Sequence, residues 1–244
     1  MNILGIDIGG TGVKGALVSV ETGELTSERV RIETPKPATP QAVIGVIQQI
    51  VQMFNHQGPM GVGYPGVILE GRTMTAANLD AGWIGFAAAE AITTATGCPT
   101  TLINDADAAG LAEARFGAGR DVAGVLMVFT LGTGIGSAMF VDGKLVPNTE
   151  LGHIFLRGHS RDAEKYASER VRIEEELKWK EWSMRLDEYL HYMENLVWPS
   201  LIILGGGASK DHDKFIPRLT VRTKVIPAEL RNEAGIVGAA MAVI

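Results

Sequence analysis

Gly10-Thr11-Gly12 and Gly132-Thr133-Gly134 are the parts of this 244-residue chain best suited to hold an anion. Glycines leave backbone N–H groups uncovered and a threonine adds a hydroxyl, so such a turn between strands can crowd donors around a phosphate. The flanks of the two turns also correspond. Residues 4–18 read LGIDIGGTGVKGALV and residues 126–141 read LMVFTLGTGIGSAMFV, so at an offset of 122 Val13 falls on Ile135, Ala16 on Ala138 and Leu17 on Met139. The offset is half the chain. It predicts two related lobes gripping one phosphate-bearing ligand, each opening with strand, turn and strand. The plainer alternative is a pair of tight hairpins without a ligand, against which the polar Asp7 and Thr11 weigh.

A second chemical candidate is Asp105. It stands between the apolar run Thr101-Leu102-Ile103 and an alanine-rich helical stretch from Ala106 to Phe116. That is the carboxyl end of a strand, where open α/β sheets hold ligands. A carboxylate there can accept the proton of a hydroxyl as it attacks phosphorus. An Asn-Asp pair is equally a helix cap by composition, and both readings stand at this level. Asp107, across the same turn, reads as a solvated acid at the helix start.

Two other phosphate motifs are set aside. Gly10-Thr-Gly12-Val-Lys-Gly15 matches G-x-G-x-x-G, with Glu33 near the place of a ribose-binding acid. The dinucleotide motif, however, needs a helix after its glycines. Here the β-rich Ala16-Leu-Val-Ser-Val20 follows, then a turn at Glu21-Thr-Gly23 and an extended Arg29 to Glu33, which is a β-meander. A Walker A loop lacks its Gly-Lys-Ser/Thr.

The elements that must position these groups follow. Thr34-Pro-Lys-Pro-Ala-Thr-Pro40 can be neither helix nor central strand. Pro40 suits the first turn of a helix carrying Val43, Ile47, Ile50 and Phe54 on one face. Met60 to Gly66 reads as a strand entering a turn, Ala87 to Thr96 as helix, and about 122–147 as the second meander. In the charged stretch 161–198, Ile173, Leu177, Leu186, Leu190 and Leu196 suit the buried face of one or two helices. Leu201 to Leu204 is a buried strand meeting Gly205-Gly206-Gly207. Val221 to Val225 reads as a last strand, and Ala234 to Ile244 as a small-residue helix. Strands together, then strands alternating with helices, twice over, make an α/β protein of two mixed-sheet lobes.

Composition bounds the function. A net charge of −6 argues against nonspecific nucleic-acid or anionic-membrane binding. The single Cys98 rules out an intrachain disulfide framework and a cysteine-rich zinc site, and fits a reducing cytoplasm. With no leader expected before the first strand and no apolar run near 20 residues, a soluble cytoplasmic protein is expected.

DIGGTGVKGA at 7–16, NDADAAG at 104–110, LGTGIG at 131–136, ELGH at 150–153 and LGGGAS at 204–209 occur in the order found in the ROK sugar kinases. The chain resembles that family over nearly its whole length. The resemblance implies the two-lobed actin-like, hexokinase-like ATPase fold, with duplicated ribonuclease H-like mixed sheets. It implies a small lobe at 1–106, a large lobe at 107–231, and a C-terminal helix of about 232–244 packing back on the small lobe. TPKPATP at 34–40 is similar to the proline-rich segment of the polyphosphate-using glucokinases of that family. The implied reaction moves the terminal phosphoryl group of polyphosphate to O6 of glucose, with Asp105 as general base. Alternatives are an ATP-dependent glucokinase and a noncatalytic sugar-binding or regulatory protein; the lack of an N-terminal helix-turn-helix segment disfavours a regulator.

By the same resemblance, Gly66, Asn78, Asn104, Asp105, Glu150, His153 and Glu164 would bind glucose, with Asn78 preceding the family's tryptophan at Trp83. Asp7, Gly9, Gly10, Thr11, Gly12, Lys14, Gly132, Thr133, Gly134 and Gly206 would bind the phosphate donor. Asp7 would hold Mg²⁺ through water. Many ROK proteins carry a C-x-C-G-x-x-G-C zinc loop after their Gly-His, but here ELGH runs into Ile154-Phe-Leu-Arg-Gly-His-Ser160 without a cysteine. His153 with His159 is a poor zinc set, so no zinc is expected. A homodimer is expected. A polyphosphate user also needs cations gathered locally; Lys14, Lys36, Arg72, Lys144 and Arg157 are the candidates, with Lys36 held on a stiff arm by Pro35, Pro37 and Pro40.

Overall fold

The computed structural model describes residues 1–76 and 79–244. The chain divides into two compact units, Met1–Ala112 with Glu233–Ile244, and Glu113–Asn232. Unit 1 contains β1 (Asn2–Ile8), β2 (Gly12–Ser19), β3 (Val30–Glu33), α1 (Pro40–Met53), β4 (Met60–Tyr64), the short β5 (Ile68–Leu69) and β6 (Arg72–Thr73), α2 (Ala88–Thr96) and β7 (Thr100–Asn104). Helix α3 (Asp105–Phe116) crosses the boundary. Unit 2 contains β8 (Val125–Leu131), β9 (Ile135–Val141), β10 (Lys144–Val146), α4 (Glu164–Ala167), α5 (Glu169–Glu174), α6 (Trp179–Val197), β11 (Leu201–Gly205) and β12 (Val225–Pro227). Helix α7 (Ala234–Met241) returns to unit 1.

The two main sheets share one topology. Their strand orders are β3-β2-β1-β4-β7 and β10-β9-β8-β11-β12. In each, the first three strands in sequence form an antiparallel meander and the other two run parallel to its first strand. The repeat seen around the Gly-Thr-Gly turns therefore extends to five strands per unit. Each turn leads into a strand, β2 or β9, which is why neither is a dinucleotide motif. The central strands are covered on both faces: Ile3, Leu4, Ile6 and Ile8 of β1 and all of β11 are buried.

Local rules account for much of unit 1. Thr39 caps α1 through its hydroxyl, which accepts from Ala42 N at 3.3 Å, and Pro40 sits in the first turn. The helix buries Val43, Ile47 and Ile50, as their spacing predicts. Helix α7 is held differently, by backbone lying directly on backbone. A Cβ on Gly61 would fall 1.7 Å from Ala239 O, and one on Gly5 2.1 Å from Ile236 O. Gly5 and Gly61 are register partners on β1 and β4, so they form a bare strip under the helix. On its other side, a Cβ on Gly238 would fall 1.7 Å from Ala108 O of α3.

Unit 2 departs from expectation in two places. The stretch 161–198 holds three helices rather than one or two. Breaks at Ser168, which caps α5 from extended backbone, and at Glu176, with φ of +50°, reset the helical phase. Leu186 and Leu190 are buried as expected, but Ile173 and Leu196 are 59% and 67% exposed. The last strand is 225–227 instead of 221–225, because the preceding backbone is engaged elsewhere. Thr223 N and Oγ1 both donate to Glu194 Oε1 at 2.6 Å, and Arg222 N donates to Glu194 Oε2 at 3.3 Å.

These contacts predict opposite effects for two glycine-to-alanine changes. Gly61→Ala must push α7 off the sheet and should cost about 2–3 kcal/mol or more in urea unfolding. Gly45→Ala on α1 meets nothing within 4 Å and should stabilise by about 0.8–1 kcal/mol. Equal effects would show that backbone contact is not what holds α7.

Candidate functional site

The first turn joins β1 to β2. Gly9 N donates to Gly12 O at 3.1 Å and closes it, so this N–H serves the turn itself rather than a phosphate, contrary to expectation. Gly10 and Thr11 are exposed at the tip, and among the described residues no backbone acceptor engages their N–H groups. Asp7, at the carboxyl end of β1, is the register partner of Lys14 on β2, whose Nζ lies 2.8 Å from Asp7 Oδ2. Lys14 is in turn the partner of Arg31 on β3. Directly paired residues share a face, so Asp7, Lys14 and Arg31 stand in a row beside the turn.

Two residues here escaped the sequence reading. Arg31 Nη2 donates to Thr11 O at 2.8 Å, and its guanidinium lies over Gly12, 2.6–2.8 Å from where a Cβ would be. Buried Thr34 donates from Oγ1 to Gly9 O at 2.5 Å. No local pattern marks either, because both are brought to the turn by strand pairing. The proline-rich segment thus begins on this turn. Further along, Ala38 O accepts from the indole Nε1 of buried Trp83 at 2.9 Å. The segment is a strap anchored at both ends, with Lys36 exposed between them. Of the other nominated cations, Arg72 donates from Nη1 to Gly85 O at 2.9 Å, while Lys144 and Arg157 are exposed.

At the carboxyl end of β7, capping falls to Asn104. Its Oδ1 accepts from Ala106 N at 2.9 Å and from Asp107 N at 3.0 Å, and its Nδ2 donates to Gly66 O at 3.1 Å. Asp105 begins α3 half-buried, with Oδ1 accepting from Ala106 N at 2.8 Å. Asn104 and Asp105 thus share the Ala106 N–H, while Asn104 alone takes that of Asp107. Asp107 is 1% exposed, not the solvated acid expected. Gly66 was expected to leave room for a sugar ring. A Cβ there would instead meet Thr75 Oγ1 at 2.7 Å and the Tyr64 ring at 2.9 Å, so protein fills that space. Asn78 lies outside the described residues.

Unit 2 has its own turn and polar cluster. Gly132 N donates to Gly134 O at 3.1 Å, closing a turn one residue tighter than the first, and Thr133 is exposed at the tip. The ELGH segment is pinned to β9: a Cβ on Gly152 would fall 2.1 Å from Ile135 O, and Leu151 N donates to Ser137 Oγ at 3.0 Å. This gathers Glu150, His153, Asp162 and Glu164. His153 Nε2 is 3.6 Å from Glu150 Oε2, and Nδ1 is 3.5 Å from Asp162 Oδ2. Glu164 Oε2 accepts from Ile135 N at 3.4 Å and lies 2.2 Å from where a Cβ of Gly134 would be. Burial pushes the Glu150 carboxyl up; His153 partly offsets this and Glu164 adds to it.

A ligand atom from each of His153, Asp162 and Glu164 lies within 4.8 Å of the others, a grouping that could hold a metal ion. Asp162, which the sequence did not single out, already takes Lys165 Nζ at 2.8 Å. His159 is engaged elsewhere, its Nε2 2.9 Å from Glu188 Oε1. Gly206 has φ of +79°, and a Cβ on it would fall 2.4 Å from Leu131 O, just before the turn. A cleft of about 390 Å³ opens beside that turn, lined by Gly132, Thr133, Glu169, Arg170, Ile173 and Glu174.

Known proteins share this architecture. The model of the ROK family matches residues 3–169. A polyphosphate glucokinase of Mycobacterium tuberculosis strain CDC 1551 is 47% identical over 98% of this chain and 89% of its own length. The crystal structure of an inorganic polyphosphate/ATP-glucomannokinase from Arthrobacter sp. strain KM matches with a TM-score of 0.94 and 48% identity, over 99% of this chain and 98% of that one. A ROK family glucokinase from Streptomyces griseus, in complex with glucose and AMPPNP, matches at 0.84 and 25% identity over 98% of each chain.

The raised Glu150 carboxyl carries a stability cost that depends on pH. A folded-state pKa above the unfolded one means that stability is complete below the ordinary glutamate pKa of about 4.3 and falls as pH rises through the folded value. Glu150→Gln should therefore melt higher than the wild type at about pH 7.5, with the difference vanishing below about pH 4. A wild type that is the more stable at neutral pH would contradict this account.

Proposed function

The chain belongs to the ROK family, and we propose that it is a kinase transferring the terminal phosphoryl group of polyphosphate to O6 of glucose. Similarity over nearly the full length to proteins named for polyphosphate and glucose supports the substrates. The observation that carries the chemistry is that a half-buried carboxylate, Asp105, stands at the carboxyl end of β7, where Asn104 also takes two of the first N–H groups of α3. Asp105 accepts the proton of the O6 hydroxyl as that oxygen bonds to the terminal phosphorus. The bridging P–O bond breaks, and polyphosphate shorter by one unit leaves.

Asp105 and Asn104 serve the sugar, with Gly66 acting through its carbonyl on Asn104. Asn78 is a further sugar ligand by family pattern. Glu150, His153 and Glu164 are hydroxyl partners by the same family pattern. The Gly10, Thr11, Gly12, Thr133 and Gly134 groups hold donor oxygens, while Gly9, Gly132 and Gly206 shape the turns. Asp7, a single carboxylate paired with Lys14, fits Mg²⁺ held through water, since magnesium keeps most of its hydration shell. Such an ion would neutralise charge on the donor phosphates. ATP as a second donor is favoured by the cleft beside Thr133, whose Ile173 wall polyphosphate does not need.

No zinc is proposed, because Lys165 occupies Asp162 and a single imidazole falls short of the several cysteine or imidazole ligands that zinc sites use. The protein is taken to act in the cytoplasm as a homodimer. Among the described residues no helix is long and apolar enough to cross a membrane, and exposed Met184, Leu196 and Trp198 offer apolar surface for association.

Asp105→Asn should lower kcat by about 10²–10⁴, with glucose affinity within about tenfold, because an amide keeps the shape but accepts no proton. Near-normal turnover in a coupled glucose 6-phosphate assay would remove Asp105 from the reaction. Elemental analysis of untagged protein should find well below one zinc per chain; stoichiometric zinc would instead assign the His153–Asp162–Glu164 group to a metal.

A further inference from the structure

Arg31 and Lys14 stand side by side next to the first turn, but their charges are in different states. Lys14 is neutralised by Asp7 at 2.8 Å. Arg31 is exposed, and among the described residues no carboxylate oxygen lies within ion-pair distance of it. Its hydrogen bond to Thr11 O uses one of five guanidinium donors. That bond and the bare face of Gly12 hold the group flat at the lip of the turn, beside the exposed Gly10 and Thr11. Gly12 is absent from the positive-φ glycines, so its missing side chain serves space, and Arg31 fills that space.

We infer that Arg31 is a polyphosphate-binding residue. Its uncompensated guanidinium receives phosphate oxygens of the donor chain beyond the group being transferred. This rests on the reading of the turn as the donor site. The chemistry suits a polyphosphate: it offers no base or ribose to recognise, so a fixed planar cation with paired donors is the contact it can use. In a protein of net charge −6, one unneutralised cation at the turn matters more than several paired ones.

The test compares Arg31→Met, Arg31→Lys and Thr11→Val with long-chain polyphosphate and glucose. Arg31→Met should raise the polyphosphate KM by about 30-fold, the range of a charge-assisted hydrogen bond, and leave the glucose KM within about twofold. Arg31→Lys should recover most of that loss. The slope of log KM for polyphosphate against log salt should become shallower by about 0.7 for each phosphate no longer neutralised, as for other single-chain polyanions. A kcat loss in Arg31→Met with unchanged polyphosphate KM and salt slope would make Arg31 only a brace for Thr11 and overturn the inference. Thr11→Val separates the two levels. A raised polyphosphate KM in Thr11→Val with none in Arg31→Met removes Arg31 alone. An unchanged KM in both, or a wild type inactive with polyphosphate, removes the donor assignment and the inference with it.

Discussion

The placement of unit 1's chemistry depends on α7 lying backbone-on-backbone across Gly5 and Gly61. Three elements are located by that contact: β1 and β4 beneath the helix, and α3 against its far side at Ala108. Strand β1 delivers Asp7 and then the first Gly-Thr-Gly turn, while α3 begins with Asp105. At the start of α7, a Cβ on Gly235 would lie 3.2 Å from Asp7 Cγ. Because no side chain intervenes, there is little compressible material between helix and sheet, and packed interiors transmit small displacements. The candidate metal carboxylate and the candidate base are thereby tied to a single rigid arrangement.

Unit 2 repeats the sheet, and its helix α6, which like α1 lies between the third and fourth strands, is held by side chains rather than by bare backbone as α7 is. Helix α6 contributes Trp182, Leu186, Tyr189 and Leu190 to an aromatic-rich core. Trp182 packs edge-on to Phe215 at 5.0 Å, and Tyr189 edge-on to Phe129 at 5.3 Å. Interlocked rings tolerate a wider separation from the sheet than glycine contacts do, and they suit a helix that also carries charged partners such as Glu188 and Glu194. The same five-strand order is thus compatible with two packing solutions. Sequence similarity between the halves accordingly survives at the turns and their strands but not in the helices.

What could be read from the sequence was what local rules determine. Helix α1 follows from Thr39, Pro40 and the spacing of Val43, Ile47 and Ile50; the meanders follow from alternation and turn residues; Asp105 follows from its place between strand and helix. What could not be read required knowing which strands pair or where a helix breaks. Arg31 and Thr34 reach the first turn only through the β2–β3 register. Ile173 is put out of phase with α6 by the break at Glu176, while Leu196, in the same helix as Leu190, falls on another face of it. Asp107 looked like a solvated acid because acids usually are, and Thr223 looked like strand because the carboxylate that takes its N–H is 29 residues away.

The turn glycines show how duplication allowed the two halves to differ. Gly12 and Gly134 occupy equivalent places, and at neither does the backbone need a left-handed conformation. Each instead vacates a volume that a charged side chain enters: the Arg31 guanidinium at Gly12 and the Glu164 carboxylate at Gly134. Opposite charges at equivalent turns cannot serve the same purpose. A guanidinium favours an approaching anion, whereas a carboxylate beside bare N–H groups competes with one and raises a neighbouring acid, as Glu164 does Glu150. The first turn is therefore the better anion holder of the two. Glu164 instead sets the second turn beside the acidic cluster of Glu150 and His153, so equivalent turns carry opposite charge in the two units.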